Sequence, residues 1–335
     1  MKNKINLGII GKNFGYKVIY KSFLKNKNFK IIGFSFKKKN KNIKLPKKVK
    51  VYFDWKKMIL NKKIDAVAIA TPPKLHKNIV NFAIKNNKHI FCEKPFTISF
   101  KQANFLCNRI KKKKNIAHMV NYEFANIDAF EFLKRKIINK IKIKKIYLDW
   151  FINIQKRSKS NWKEQHALGG GIMFNYVCHA LYYLEFIFGK IKAIKSSNFL
   201  DKKNKLQILK SQFFFNNGLI SELTMKVGVI NGDKPIHQLK IIASKKTYIL
   251  KTNLNSLADK FKLLLIKQNT QSVIINNKKN NSDFRLIPTY KNSKIFYNSI
   301  VNKKVKKPNF YDALRIHLII KKMMLSSEKN KKIFV

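Results

Sequence analysis

The chain runs to 335 residues, long enough for two domains that each bury a core, and its 73 Lys and Arg against 16 Asp and Glu leave a formal charge of +57. Such a charge points first to a polyanion, yet only five of the cations are arginine; lysine with abundant Asn and Ile is what A/T-rich codons produce, so a nucleic-acid binder built on arginine forks is not expected. Three cysteines without metal spacing, an apolar start that stops at Gly11 and Lys12, and no run near the roughly 18 residues of a membrane span lead us to expect a soluble, cytoplasmic protein in a reducing compartment, without membrane contact.

From residue 4 to about 122, short apolar runs alternate with longer amphipathic ones, the pattern of βαβ units around a parallel sheet. Residues 4–10, 29–36, 65–70, 88–92 and 115–120 read as strands, and 18–24, 77–86 and 99–111 as helices. Beyond residue 123 the texture changes. A helix over 128–139 precedes a strand over 145–154 and a loop over 155–171. Residues 212–215 and 219–226 read as a hairpin closed by Asn216-Asn217-Gly218, since Asn and Gly tolerate the positive φ that such turns need. Further strands are expected at 238–243, 247–252 and 272–275, and a closing helix at 311–324. The predicted architecture is α/β: an N-terminal doubly wound parallel sheet over 1–122, then an α+β domain with a large mixed, mostly antiparallel sheet over 123–335.

Chemistry concentrates where predicted strands end. The strand at 4–10 runs into Gly11-Lys12-Asn13-Phe14-Gly15 and a helical stretch, where a dinucleotide pyrophosphate would sit. Thr71-Pro72-Pro73, followed by His76, and Cys92-Glu93-Lys94-Pro95 occupy the corresponding ends of two further strands, so three loops converge on one crevice. A lysine at a strand end, followed by a proline that fixes the backbone, is placed for contact and not for solubility.

These segments, with Gly169-Gly170-Gly171, Asn175, His179 and the run Pro308 to Arg315, occur in the order found in the Gfo/Idh/MocA family of nicotinamide-dependent oxidoreductases, which the chain resembles over nearly its whole length. The resemblance implies cofactor contacts from Gly8, Gly11, Asn13, Phe14, Gly15, Ser35, Lys37, Thr71, Pro72, His76, Glu93 and Lys94. It also implies that Lys94 lies beside the nicotinamide and the reacting carbon, and that His179 exchanges the hydroxyl proton; a near-neutral pKa suits histidine to that task. Tyr122, Arg157, Trp162, Asn175 and His179 are the expected substrate contacts, Arg gripping an anionic group and Trp stacking on a sugar ring.

The chain departs from the family pattern at several positions. Asn13 and Tyr16 replace two glycines of the turn, with Asn13 expected to take the left-handed backbone. Asn175 and Tyr182 stand where Asp is usual, so base chemistry falls to His179. Ser35, Phe36, Lys37 and Lys38 offer no carboxylate for a ribose 2′-hydroxyl, which favours NADP over NAD. The expected reaction is hydride transfer between NAD(P) and a secondary alcohol or ketone of a sugar, sugar acid, inositol or nucleotide-linked sugar, in a homodimer or homotetramer. Three alternatives stay open: a family member using transient oxidation for glycoside cleavage, a catalytically degenerate binding or regulatory protein that keeps the fold, and a polyanion binder.

Overall fold

A computed structural model describes residues 4–37, 43–153, 163, 165, 168–201, 206–228, 234–253, 260–268, 270–276 and 282–335. The first strand, β1 (Ile5–Ile10), buries Leu7, Ile9 and Ile10 on both of its faces, as a strand covered by helices must. A helical run follows over 13–24, π-helical across Gly15–Tyr20 and ending in α1 (Lys21–Leu24). Next come β2 (Phe29–Ser35), β3 (Lys50–Tyr52) and α2 (Trp55–Leu60), the last capped by Asp54, whose Oδ1 accepts from the Lys56 amide at 2.8 Å. Then β4 (Ala66–Ile69), α3 (His76–Lys85), β5 (His89–Cys92), α4 (Phe100–Lys111) and β6 (His118–Val120) complete the first pass. The strands pair in parallel in the order β3-β2-β1-β4-β5-β6, so the predicted doubly wound sheet is present. Strand order reverses between β1 and β4, and ligands bind such folds outside the strand ends at that switch point.

The second sheet also follows the expectation. After α5 (Asp128–Phe132) the long strand β7 (Ile143–Asn153) enters it, and α6 (Cys178–Phe188) precedes β8 (Ile191–Asp201), β9 (Leu206–Phe215), β10 (Ile220–Gly228), β11 (Ile236–Ala243), β12 (Thr247–Thr252), β13 (Lys262–Lys267) and β14 (Thr270–Asn276). The helices α7 (Leu286–Val301) and α8 (Phe310–Lys329) and the short β15 (Ile333–Phe334) end the chain. The nine strands lie in the order β14-β13-β12-β11-β7-β10-β9-β8-β15, antiparallel except for β7 with β10. Period-two alternation is clean in β11, where His237, Leu239, Ile241 and Ala243 are buried on one face. The predicted hairpin closes at Gly218, whose φ of +83° is a glycine conformation.

Two compact units emerge: Met1–Glu123 with Trp162–Cys178 and Arg285–His317, and Phe124–Asn161 with His179–Phe284 and Leu318–Val335. A boundary near 122 therefore ends only the first pass, since two later segments return to the first unit. Within that unit α7 packs on α1 and the sheet: Ser22 Oγ donates to Leu286 O at 3.0 Å, Asn26 Nδ2 donates to Ser293 Oγ at 2.9 Å, and Phe296 stacks on Phe29 at 6.1 Å. The helix was not legible in the sequence because its buried face carries Thr289, Asn292, Ser293 and Ser299, which hides the apolar stripe.

Candidate active site

At the end of β1, Gly11 has φ +117° and its amide donates to Ser35 O at 2.9 Å. A Cβ here would stand 2.2 Å from Ala70 O, so only glycine lets the turn close against the end of β4. Asn13 does not take the expected left-handed backbone: the helical run has already begun there, and Phe14 is right-handed at φ −62°. The physical reason is that Gly11 alone makes the reversal. Gly15, buried, brings the helix close to the strand, where a Cβ would meet Ile9 Cγ2 and Ala70 Cβ at ordinary separations of 3.5 and 3.6 Å. Gly8 faces Met58, whose Cε lies 2.9 Å from where a Cβ would stand, a packing role beneath the turn. Tyr16, at the displaced glycine position, swings aside and its hydroxyl bonds both the amide and the carbonyl of Lys44. Ser35 is buried, Lys37 is exposed, and Lys38 lies outside the described residues.

At the end of β4, Thr71 keeps a buried hydroxyl with no hydrogen-bond partner, Pro72 is exposed and Pro73 is buried. Gly169, at φ +83°, packs so tightly on Pro73 and Ile98 that a Cβ would come within 2.7 Å of each. His76 is fully buried, with Nε2 2.9 Å from Thr71 O and Nδ1 3.0 Å from Pro95 O. Both neighbours are carbonyl oxygens, so a neutral ring with its single N–H donates to one of them and only lies against the other. Burial pushes its pKa down, against the pull of the carbonyl groups.

The turn after β5 carries the densest polar network. Lys94, half-buried, donates from Nζ to Asn175 O at 2.9 Å, so Asn175 meets the lysine through its backbone. Glu93 is buried and accepts from Asn121 Nδ2 at 2.6 Å; Asn121 also donates to Thr289 Oγ1 at 3.2 Å and accepts from Asn292 Nδ2 at 2.8 Å. Burial, then the nearby Glu123 carboxylate, holds the Glu93 carboxyl well above its ordinary range, with Asn121, Lys94 and Arg285 pulling the other way. Arg285 places its guanidinium 5.0 Å over the Phe14 ring beside the glycine turn. Tyr122 is buried to 1% exposure, an interior ring rather than an open contact surface. Asn121, Thr289, Asn292 and Arg285 were not singled out from the sequence; they meet Glu93 and Phe14 only through long-range packing, and no local spacing announces them.

In the second unit His179 is buried and its ring lies edge-on to Phe124 at 4.6 Å. Phe124 in turn contacts Phe130, Trp150, Tyr183, His237 and Phe261. His237 stacks on Trp150 at 3.9 Å with Nε2 2.8 Å from the Tyr183 hydroxyl, and burial drives its pKa down to about 3. The expected contacts Arg157 and Trp162 lie outside the described residues.

A dinucleotide suits the first unit on two observations: the glycine-only turn at Gly11, where the end of β1 closes against the end of β4, and the buried, unpartnered Thr71 hydroxyl at the adjoining strand end. Among the described residues no helix is long and apolar enough to cross a membrane.

Comparison with known proteins agrees with this geometry. Residues 5–122 match the family described as an oxidoreductase family with an NAD-binding Rossmann fold. Levoglucosan dehydrogenase of Pseudarthrobacter phenanthrenivorans is 29% identical over 150 residues, 43% of this chain and 38% of that protein. The first curated relatives are thus spanned over only 40% and 38% of their lengths. Among solved structures, levoglucosan dehydrogenase in complex with NADH superposes with a TM-score of 0.78 at 16% identity over 99% of both chains. Aldose-aldose oxidoreductase of Caulobacter crescentus does so with a TM-score of 0.80 at 15% identity over 99% of this chain and 100% of that one. At such identities the structural likeness establishes the fold.

Proposed function

We propose, because residues 5–122 match the model of the Gfo/Idh/MocA family of NAD-binding oxidoreductases, that this chain transfers hydride between a nicotinamide cofactor and a secondary alcohol or ketone of a sugar-like substrate. The carrying observation is Lys94. It stands at the end of β5 in the unit that holds the Gly11 turn, and its ammonium is aimed by a hydrogen bond to Asn175 O. The cofactor, when bound, supplies the hydride acceptor or donor. The chain's own part is to bind it at the Gly11 turn and Thr71, and to steady negative charge developing on the substrate oxygen with the Lys94 ammonium. His179 takes or returns the hydroxyl proton, a role that its residue type suits and that the family resemblance assigns. Buried Glu93, whose carboxyl burial holds well above its ordinary range, is tied to Asn121 at the base of the same turn. NADP is the favoured cofactor, on the lysine-rich, carboxylate-free stretch that follows β2, and a cytoplasmic homodimer or homotetramer is the proposed setting.

Fluorescence titration of the wild type and Lys94→Ala with NADPH and NADH, followed by turnover on levoglucosan and a panel of sugars and inositols, tests the reading. Cofactor binding by both proteins, with turnover by the wild type only, is the expected result. Binding of neither cofactor at millimolar concentration would sink the enzymatic reading and leave a fold retained for another purpose.

A further inference from the structure

Two histidines from distant parts of the chain grip the backbone of the turn that presents Lys94. One is His76, which faces Pro95 O with Nδ1 and Thr71 O with Nε2. The other is His317 of α8, equally inaccessible, whose Nε2 accepts from the Thr97 amide at 3.3 Å. Thr97 Oγ1 also lies 3.4 Å from this nitrogen, but its hydrogen goes to Ser99 O at 2.9 Å. The His317 proton therefore sits on Nδ1, and Nε2 acts as a bare acceptor.

Both rings are buried. Each is a polar group taken out of water, which costs stability unless its bonds are made, and an aliphatic side chain would fill the same space without that cost. His76 Nδ1 meets Pro95 O and His317 Nε2 accepts from the Thr97 amide, immediately beyond Lys94, with His317 Nδ1 buried and unpartnered, while the bond from Lys94 to Asn175 O fixes only the tip of the side chain. An ångström of drift at the base of this turn would carry the ammonium out of register with a reacting oxygen, and errors of that size cost about a hundredfold in rate.

We propose that His76 and His317 are positioning residues that brace the turn from both sides and so hold Lys94 at the reacting centre, an inference that rests on the catalytic reading of Lys94.

Amide hydrogen exchange across residues 93–99, cofactor titration with NADH and NADPH, and kcat and KM on levoglucosan, or on the first sugar in the panel that turns over, should be compared in five histidine variants and in Lys94→Ala. His317→Leu frees the Thr97 amide and is expected to speed exchange of this segment about fivefold to tenfold. It should also lower kcat at least tenfold, with KM and cofactor Kd within about threefold of wild type. His317→Gln, whose amide oxygen can accept in place of Nε2, should restore both. At position 76 the arms separate. His76→Asn reaches only towards Pro95 and should keep kcat, whereas His76→Gln reaches only towards Thr71 and should lose it as His76→Leu does. Unchanged exchange and unchanged kcat in folded leucine variants would overturn the brace. If those variants do not fold, equal kcat in His76→Asn and His76→Gln would overturn it. Lys94→Ala separates the two readings: full turnover in that variant removes the catalytic role itself, whereas an inactive Lys94→Ala beside fully active histidine variants removes the brace alone.

Discussion

The turn that bears Lys94 and the helix that bears His179 are held in opposite ways. In the Lys94 turn directional polar contacts recur: Lys94 donates to Asn175 O, Asn121 donates to Glu93, the Thr97 amide donates to His317, and His76 faces Pro95 O. Beside His179 stands a cluster of rings, with Phe124 on the imidazole and Phe130, Trp150, Tyr183 and Phe261 packed behind. Directional bonds fix an angle and fail abruptly, whereas ring packing fixes a volume and yields by degrees. The Lys94 turn should therefore answer to substitution in rate, and the ring cluster around Phe124 in stability.

The largest stability loss should come from the rings. Phe124→Ala is expected to cost about 3–5 kcal/mol in urea unfolding, while the volume-sparing Phe124→Leu costs less than about 1.5 kcal/mol. Equal losses would mean that volume is not what holds this helix. Lys94→Met should behave in the reverse sense, lowering hydride transfer by about 10²–10³ while moving stability by less than about 1 kcal/mol. A stability loss as large as that of Phe124→Ala would erase the contrast.

Acid offers a finer probe. His237 has a folded pKa of about 3 against 6.5 unfolded, so it is neutral when folded and charged when unfolded in between. Its share of stability is whole above pH 6.5 and is lost as pH falls towards 3. Near pH 5 unfolding takes up about one proton here, a slope of about 1.4 kcal/mol per pH unit. His237→Phe should make the measured dependence of unfolding free energy on pH shallower by that amount, and His317, also at about 3, gives the matching test in the first unit. Smallest of all, Gly15→Ala meets only ordinary contacts on a right-handed helical backbone and should change the melting free energy by no more than about 1 kcal/mol, in the stabilising direction.

Much of this organisation was legible beforehand. The β1, β2, β4 and β5 strands, the Gly11 turn and the Glu93-Lys94-Pro95 turn announced themselves through apolar runs that stop at glycine or proline. Strand β3 and helix α2 did not, being a few residues each with exposed Val51 and Leu60. In β8 and β13 flanking lysines and polar residues obscured the alternation, and α7 hid behind the serines and asparagines of its buried face. Of the supports of the Lys94 turn, His76 was named beforehand, as a cofactor contact; residues 121, 292 and 317 meet the turn only through the fold, and their hydrogen-bonding leaves no mark on local periodicity.

The return of α7 to the first unit bears on how the chain is born. Phe296 stacks on Phe29 and meets Phe91 edge-on at 5.7 Å, closing the core over the parallel sheet. That closure is encoded about 160 residues after the first pass ends, which at a ribosomal pace of 5–20 residues per second is a delay on the order of ten to thirty seconds. Throughout it Phe29 and Phe91 have Phe23 against them but lack the cover of Phe296, so the nascent sheet is a natural client for a chaperone until α7 leaves the exit tunnel.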